Sequence, residues 1–423
     1  MQLNFIANQP VPSRTGQTLA VLDPSDGQPF DALQRSDARD IDDAVRAARE
    51  CLDTGWSRLS AAERSRLLMR LSARVAEHAD ELAALEQRDC GKPTRQARAD
   101  AAALVRYFEF YAGSCDKLHG ETIPYQDGYS VFTWREPHGI TGHIIPWNYP
   151  MQIFGRSVGG ALAAGNVCVV KPAEDACLSL LRVAQLAAEV GFPAGAINIV
   201  TGYGHEVGDA LARHPGIDHI SFTGSPHVGT LIQQVAAERH CPVTLELGGK
   251  SPQIVFADAD LDAAIPVIIN AIVQNAGQTC SAGSRLLIEE AAYEPLLQRL
   301  GQAFAALRVG PATMDLDAGP LIRASQLQRV AGFLDEAQAA GITTVAQGTV
   351  VAEAPATGFY QAPVLLRDVP VNHRLAQEEV FGPVLAAMRF RDEDHAVELA
   401  NATKFGLVAG VWTRDGGRQF RMA

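Results

Sequence analysis

Long apolar runs are missing from this chain of 423 residues, and a membrane-spanning helix needs about 20 such residues in a row. The nearest candidate, Ile265-Pro266-Val267-Ile268-Ile269-Asn270, is broken by Pro and Asn. The opening Met1-Gln2-Leu3-Asn4-Phe5 has neither a basic segment nor an apolar core, so no secretory signal is read there. Basic residues are also scarce: 36 Lys and Arg against 48 Asp and Glu give a net charge of −12. A nucleic acid or an anionic membrane surface would call for the opposite balance. The seven cysteines, at positions 51, 90, 115, 168, 177, 241 and 280, are odd in number and contain no C-x-x-C pair. That speaks against a disulfide framework or a zinc site and for reduced thiols in a cytoplasmic setting, with no metal expected.

What is present is ordinary for a globular α/β protein: 47% hydrophobic residues, 37 Gly and 23 Pro. The length suggests two or three domains. Residues 1–36 read as loops and short strands. Helices are expected over Ala38–Cys51, over one run Ala61–Asp89 opened by the capping pair Ser60 and Glu63, and over Arg95–Cys115. A hairpin follows, turning at Gln126-Asp127-Gly128 with Tyr129, Val131 and Thr133 alternating. From Gly139 short apolar strands (Thr141–Ile145, Val167–Lys171, Ala196–Thr201, His219–Thr223) alternate with helices such as Leu178–Val190. This is the pattern of a doubly wound parallel sheet. A second alternating series starts near Ser251, and the chain ends in what reads as the middle of a helix, as if cut.

Several segments carry chemistry. Cys280 follows Asn275-Ala276-Gly277-Gln278-Thr279, a polar, small-residue stretch unlike packed core, whereas the other six cysteines read as buried small hydrophobes. A thiol of ordinary pKa near 8.5 needs a base or positive field to act as a nucleophile at neutral pH. Glu246 ends a strand-like run and precedes Gly248 and Gly249, as a carboxylate poised to project or as a plain surface turn. Gly249-Lys250-Ser251 mimics the end of a phosphate-binding loop, but that motif needs Gly at position 244, where Thr244 stands. Asn148, flanked by Pro146 and Pro150, is a candidate oxyanion donor or a turn cap. Gly202–Gly208 and Phe222–Gly229 are weak dinucleotide signals, the second opening a helix. Lys171 and Glu174 close a strand, where a carboxylate can accept from a ribose diol.

Together these segments resemble the aldehyde dehydrogenase family: Pro146–Pro150, Lys171–Glu174, Phe222–Gly229, Glu246–Pro252, Gly277–Cys280 and Glu378–Pro383 stand in its order, with Asn401 and Phe405-Gly406-Leu407 near the end. The spacing 280 − 246 = 34 also fits. The resemblance implies the α/β aldehyde dehydrogenase fold: a Rossmann-like cofactor domain (1–118 and 138–247), an α/β catalytic domain (248–423, its C-terminal end missing) and a small β oligomerisation arm (119–137). It implies oxidation of a small-molecule aldehyde to an acid with NAD, NADP being less favoured. Cys280 would form a thiohemiacetal and then a thioester, Asn148 would hold the oxyanion, and Glu246 would activate the hydrolytic water. Cofactor contacts are implied for Ile144, Ile145, Pro146, Trp147, Lys171, Glu174, Gly204, Gly208, Phe222, Gly224, Ser225, Val228, Leu247, Glu379 and Phe381. Tyr149, Ile153, Arg156, Gln274, Thr279 and Ser281 would line the substrate pocket, with Arg156 placed for a carboxylated semialdehyde. A homodimer or homotetramer is implied. The alternatives weighed are a non-catalytic, NAD-binding or structural member inactivated by truncation, and an esterase using the same thiol.

Overall fold

The computed structural model describes all residues from Met1 to Ala423. The chain divides into two compact units. The first comprises Met1–Leu22, Pro29–Cys90 and Ala97–Glu246, and the second Asp23–Gln28, Gly91–Gln96 and Leu247–Ala423.

A seven-stranded sheet organises the first unit. Its order is Val243–Leu247, His219–Gly224, Ile140–Ile145, Val167–Pro172, Ile197–Ile199, Asn4–Ile6 and Gln9–Val11. The central pairs are parallel, with Thr141 opposite Cys168 and His219, whereas Asn4–Ile6 adds antiparallel to Ile197–Ile199. All six residues of Val167–Pro172 are buried, as expected of a strand covered on both faces. Helix Pro150–Ala163 packs on Ile140–Ile145 and Val167–Pro172 and buries Phe154, Val158 and Leu162. Each such burial contributes roughly 1.5–3 kcal/mol.

The expected single helix over Ala61–Asp89 is two helices, Ala61–Glu77 and Ala79–Cys90. His78 breaks it, turning its Nδ1 to Glu81 Oε2 at 2.6 Å while Asp80 and Glu81 fill the new helix's first turn. The Ser60–Glu63 capping box forms as read. Within 119–137 the structure has a two-stranded ribbon, Thr122–Ile123 against Val131–Phe132, with Gly128 at φ +86° in the turn. The strand is shorter than the alternation from Tyr129 to Thr133 suggested, since one exposed ladder has no core to extend it.

The second unit is built on a six-stranded sheet. Its order is Thr343–Gln347, Val364–Arg367, Val384–Phe390, Arg285–Glu289, Pro252–Val255 and Gly410–Trp412, parallel except at Thr343–Gln347. The Pro266 segment lies inside helix Leu261–Val273, losing one backbone bond but keeping Ile265, Ile268 and Ile272 in the core. Two short segments assigned by sequence to the cofactor domain belong to this unit. Asp23–Gln28 is held by the hydrogen bond from Tyr360 Oη to the Ser25 carbonyl (2.5 Å), and Gly91–Gln96 by Arg95 on the Asp315 carboxylate and carbonyl. Neither tie leaves a trace in local sequence.

Candidate active site

In the first unit, chemistry gathers at the carboxyl ends of the parallel strands. The register that sets Ile145 opposite Pro172 aligns the exits of these two strands. Asn148 leaves the first of them buried, between Pro146 and Pro150, and Pro150 opens the helix at its first position. The loop is tied from below: Cys90 Sγ donates to the Trp147 carbonyl (3.2 Å), and the Met151 N–H donates to the Glu86 carboxylate (3.2 Å). Sequence reading missed Glu86 and Cys90; their only signal is polarity on the inward face of helix Ala79–Cys90. Tyr149 caps the helix through its carbonyl, which accepts from the Ile153 N–H at 3.0 Å, and Ile153 is half-buried. Arg156, on the same helix, comes within 4.0 Å of Glu246.

Lys171, buried at its strand's end, meets Glu174 at 2.7 Å. Gly204 and Gly208 face it, and a Cβ added at either would lie in ordinary contact, 3.8 Å from its amine and 4.0 Å from its stem. Ser225 caps helix Pro226–Ala237, its Oγ accepting from the Val228 N–H at 3.4 Å, and Ser225 and Val228 are exposed at that N-terminus. A nucleotide fits this donor set: a carboxylate for ribose hydroxyls, a helix N-terminus for phosphate and an exposed aliphatic for the base. Ile144, Pro146, Trp147, Gly224 and Leu247 are partly exposed. Ile145, Gly208 and Phe222 are buried, and the Phe222 ring is packed beneath Gly224.

In the second unit Cys280 is partly exposed. The stretch before it is not the solvent-like loop its composition suggested. Asn275, Ala276, Gly277, Gln278 and Thr279 are all buried, because their polar atoms are matched. Gln278 Nε2 donates to the Asn275 carbonyl (3.0 Å) and its Oε1 accepts from the Ile322 N–H (2.9 Å), while the Asn275 N–H donates to Gln96 Oε1 (2.9 Å). Three consecutive residues, Asn275, Ala276 and Gly277, are left-handed at φ 49°, 52° and 75°. Such conformations cost energy and persist where the surroundings over-determine them. Thr279 and Ser281 flank Cys280, and Gln274 ends the preceding helix. The Cys280 carbonyl lies against Gly249, leaving no room for a Cβ there.

Glu379 accepts from the Gly249 N–H at 3.2 Å, and burial raises its carboxyl to about 7. Lys250, set aside as part of a false phosphate loop, is 2% exposed, and burial lowers its amine to about 7. Arg285 donates to the carbonyls of Lys250, Leu399 and Ala400 at 2.8, 2.6 and 2.7 Å, clamping three segments. Phe381 adopts a left-handed φ of 59°, its carbonyl accepting from Gln326 Nε2 at 2.7 Å. Of the other thiols, Cys168 is fully buried within its strand and pushed up to about 12, which rules it out as a nucleophile.

Residues 11–423 match the Aldehyde dehydrogenase family. The chain belongs to the aldehyde dehydrogenase family. It is 42% identical over 416 residues to human Retinal dehydrogenase 2, covering 97% of this chain and 80% of that protein. A solved structure from Burkholderia cenocepacia is 71% identical with a TM-score of 0.99, covering 99% of this chain and 89% of that one. The NAD+ complex of aldehyde dehydrogenase from Bacillus cereus is 37% identical with a TM-score of 0.96, covering 100% and 86%. No helix of this family member is long and apolar enough to cross a membrane.

Proposed function

We propose that the protein oxidises an aldehyde to a carboxylic acid with NAD, Cys280 being the nucleophile, Asn148 and the Cys280 N–H the oxyanion donors, and Glu246 the general base. The observation that carries this reading is Cys280 itself: a partly exposed thiol on a loop whose strained backbone is pinned by buried amides. Cys280 Sγ attacks the aldehyde carbon, and the oxyanion that forms is held by two N–H donors, each typically worth about 3 kcal/mol in the transition state. Lys171, Glu174, Gly204 and Ser225 in the first unit, and Glu379 with Phe381 in the second, are the residues assigned to hold NAD. When bound, NAD supplies the two-electron acceptor for the substrate. Glu246 then takes a proton from the water that attacks the thioester carbon; the C–S bond breaks and the thiol is restored.

The first unit is accordingly read as the cofactor domain, the second as catalytic, and the ribbon within 119–137 as the arm through which copies assemble. Glu174 disfavours a 2′-phosphate by like charge, so NAD is preferred over NADP. A carboxylated semialdehyde is a second reading, favoured by one observation: the Arg156 side chain is 39% exposed and its contact with Glu246, at 4.0 Å, leaves guanidinium donors for a substrate carboxylate.

The test is absorbance of reduced cofactor with NAD and a panel of neutral and carboxylated aldehydes, without coenzyme A. Turnover that disappears in Cys280→Ala and survives in Cys168→Ala supports the proposal. Turnover retained in Cys280→Ala, or ester hydrolysis alone, would overturn it. Equal kcat/KM for neutral and carboxylated substrates would remove the semialdehyde reading.

A further inference from the structure

We infer that Arg156 is the positioning residue of Glu246, its guanidinium fixing the carboxylate for the water that hydrolyses the acyl-Cys280 thioester. This rests on the reading of Glu246 as the base. Arg156 Nη2 and Glu246 Oε2 are 4.0 Å apart, and neither side chain has another ion pair or a hydrogen bond. Glu246 stands near the end of Val243–Leu247, the edge strand of its sheet, with its side chain 44% exposed. A carboxylate on flexible torsions with no hydrogen bond samples several rotamers, and a fixed cation narrows that set.

The helix that carries Arg156 is itself held in place. Pro150–Ala163 carries no other charged residue. Gly155 and Gly159 press it against Leu104, Tyr107, Phe108 and Tyr111 of helix Thr94–Ser114, where added Cβ atoms would meet those side chains. The guanidinium is also close enough to Tyr111 for its charge to act on the phenol. At this exposure an ion pair adds little to stability, so its effect is on where the carboxylate points. The step it serves balances without further reagents: water adds to the acyl carbon, its proton goes to Glu246, the C–S bond breaks, and carboxylate and thiol are released.

The experiment follows acylated Cys280 by rapid quench and intact-mass spectrometry, with NAD and propanal, a neutral aldehyde that leaves any role of Arg156 toward a substrate carboxylate silent. Arg156→Met is expected to form the adduct in an amount within about twofold of wild type but to lose it roughly tenfold more slowly, lowering kcat and KM together and leaving kcat/KM near wild type. Arg156→Lys should recover much of that rate. Glu246→Gln should form the adduct and fail to release it. If Glu246→Gln releases the adduct normally, or wild type forms none, the base reading and this inference fall together. If Glu246→Gln stalls while Arg156→Met releases at the wild-type rate, only the inference falls. Adduct and turnover lost in parallel in Arg156→Met, with no rescue by Lys, would show a merely structural role and overturn it.

Discussion

Gly277 shows how narrowly some single residues are constrained. Its φ is +75°, and a Cβ there would overlap the backbone of Gly382. Gly277→Ala is therefore expected to lose roughly 2–4 kcal/mol of stability, and urea unfolding would measure it. Glu379 and Lys250 make opposite predictions from the same cause. Burial raises Glu379 from 4.5 to about 7, so its contribution to stability is full below pH 4.5 and is lost as pH rises through 7. Relative to Glu379→Gln, wild type should thus weaken across that window by on the order of 1–3 kcal/mol. Burial lowers Lys250 from 10.5 to about 7, so its contribution is present above pH 10.5 and lost as pH falls through 7. Wild type should weaken relative to Lys250→Met in that direction, and urea midpoints at pH 6 and pH 9 would show the sign. A flat difference in either series would contradict the burial argument.

Among the elements, helix Pro226–Ala237 depends on its first turn. Ser225 accepts from the Val228 N–H, and Pro226 is preset for the helix. Ser225→Ala should cost about 1 kcal/mol in thermal unfolding. It should also weaken NAD binding, measured by calorimetry, if this N-terminus takes the pyrophosphate as proposed. Ser60→Ala, which removes the capping box of Ala61–Glu77, should show the stability loss without the binding loss. Helix starts of this kind were legible in the sequence because a cap is a local hydrogen bond between residues three apart. The break at His78 was not, because the apolar spacing runs on through it and only the His78–Glu81 contact marks the new start.

At the scale of the whole molecule, the ribbon exposes Tyr125, Tyr129, Phe132 and Trp134, the last at 76%. Side chains of this size left in water mark an association surface more often than a finished one. Replacing Phe132 and Trp134 together by Ser should lower the mass found by light scattering to that of a smaller assembly, while the circular dichroism spectrum of the protein is kept. An unchanged mass would remove the ribbon from the interface. The same scale explains the unit boundaries. The two units were separable by their two βα series, but Asp23–Gln28 and Gly91–Gln96 joined the second unit through bonds to Tyr360 and Asp315, far along the chain.

The sequence by itself determined what local order can encode: the alternating strands and helices, the caps, the family motifs in their order, and the lack of a long apolar run. Those properties depend on neighbours within a few residues or on motif order along the chain. The tertiary structure alone decided which charges meet and which are buried. Arg156 and Glu246 are 246 − 156 = 90 residues apart and come within 4.0 Å; Glu379 finds the Gly249 N–H across 130 residues. Lys250 looks like a surface lysine in sequence and loses its water only when Arg285, Glu379 and the sheet close around it. Desolvation and charge pairing are properties of packing, and packing is set by contacts too distant in the chain for local pattern to contain.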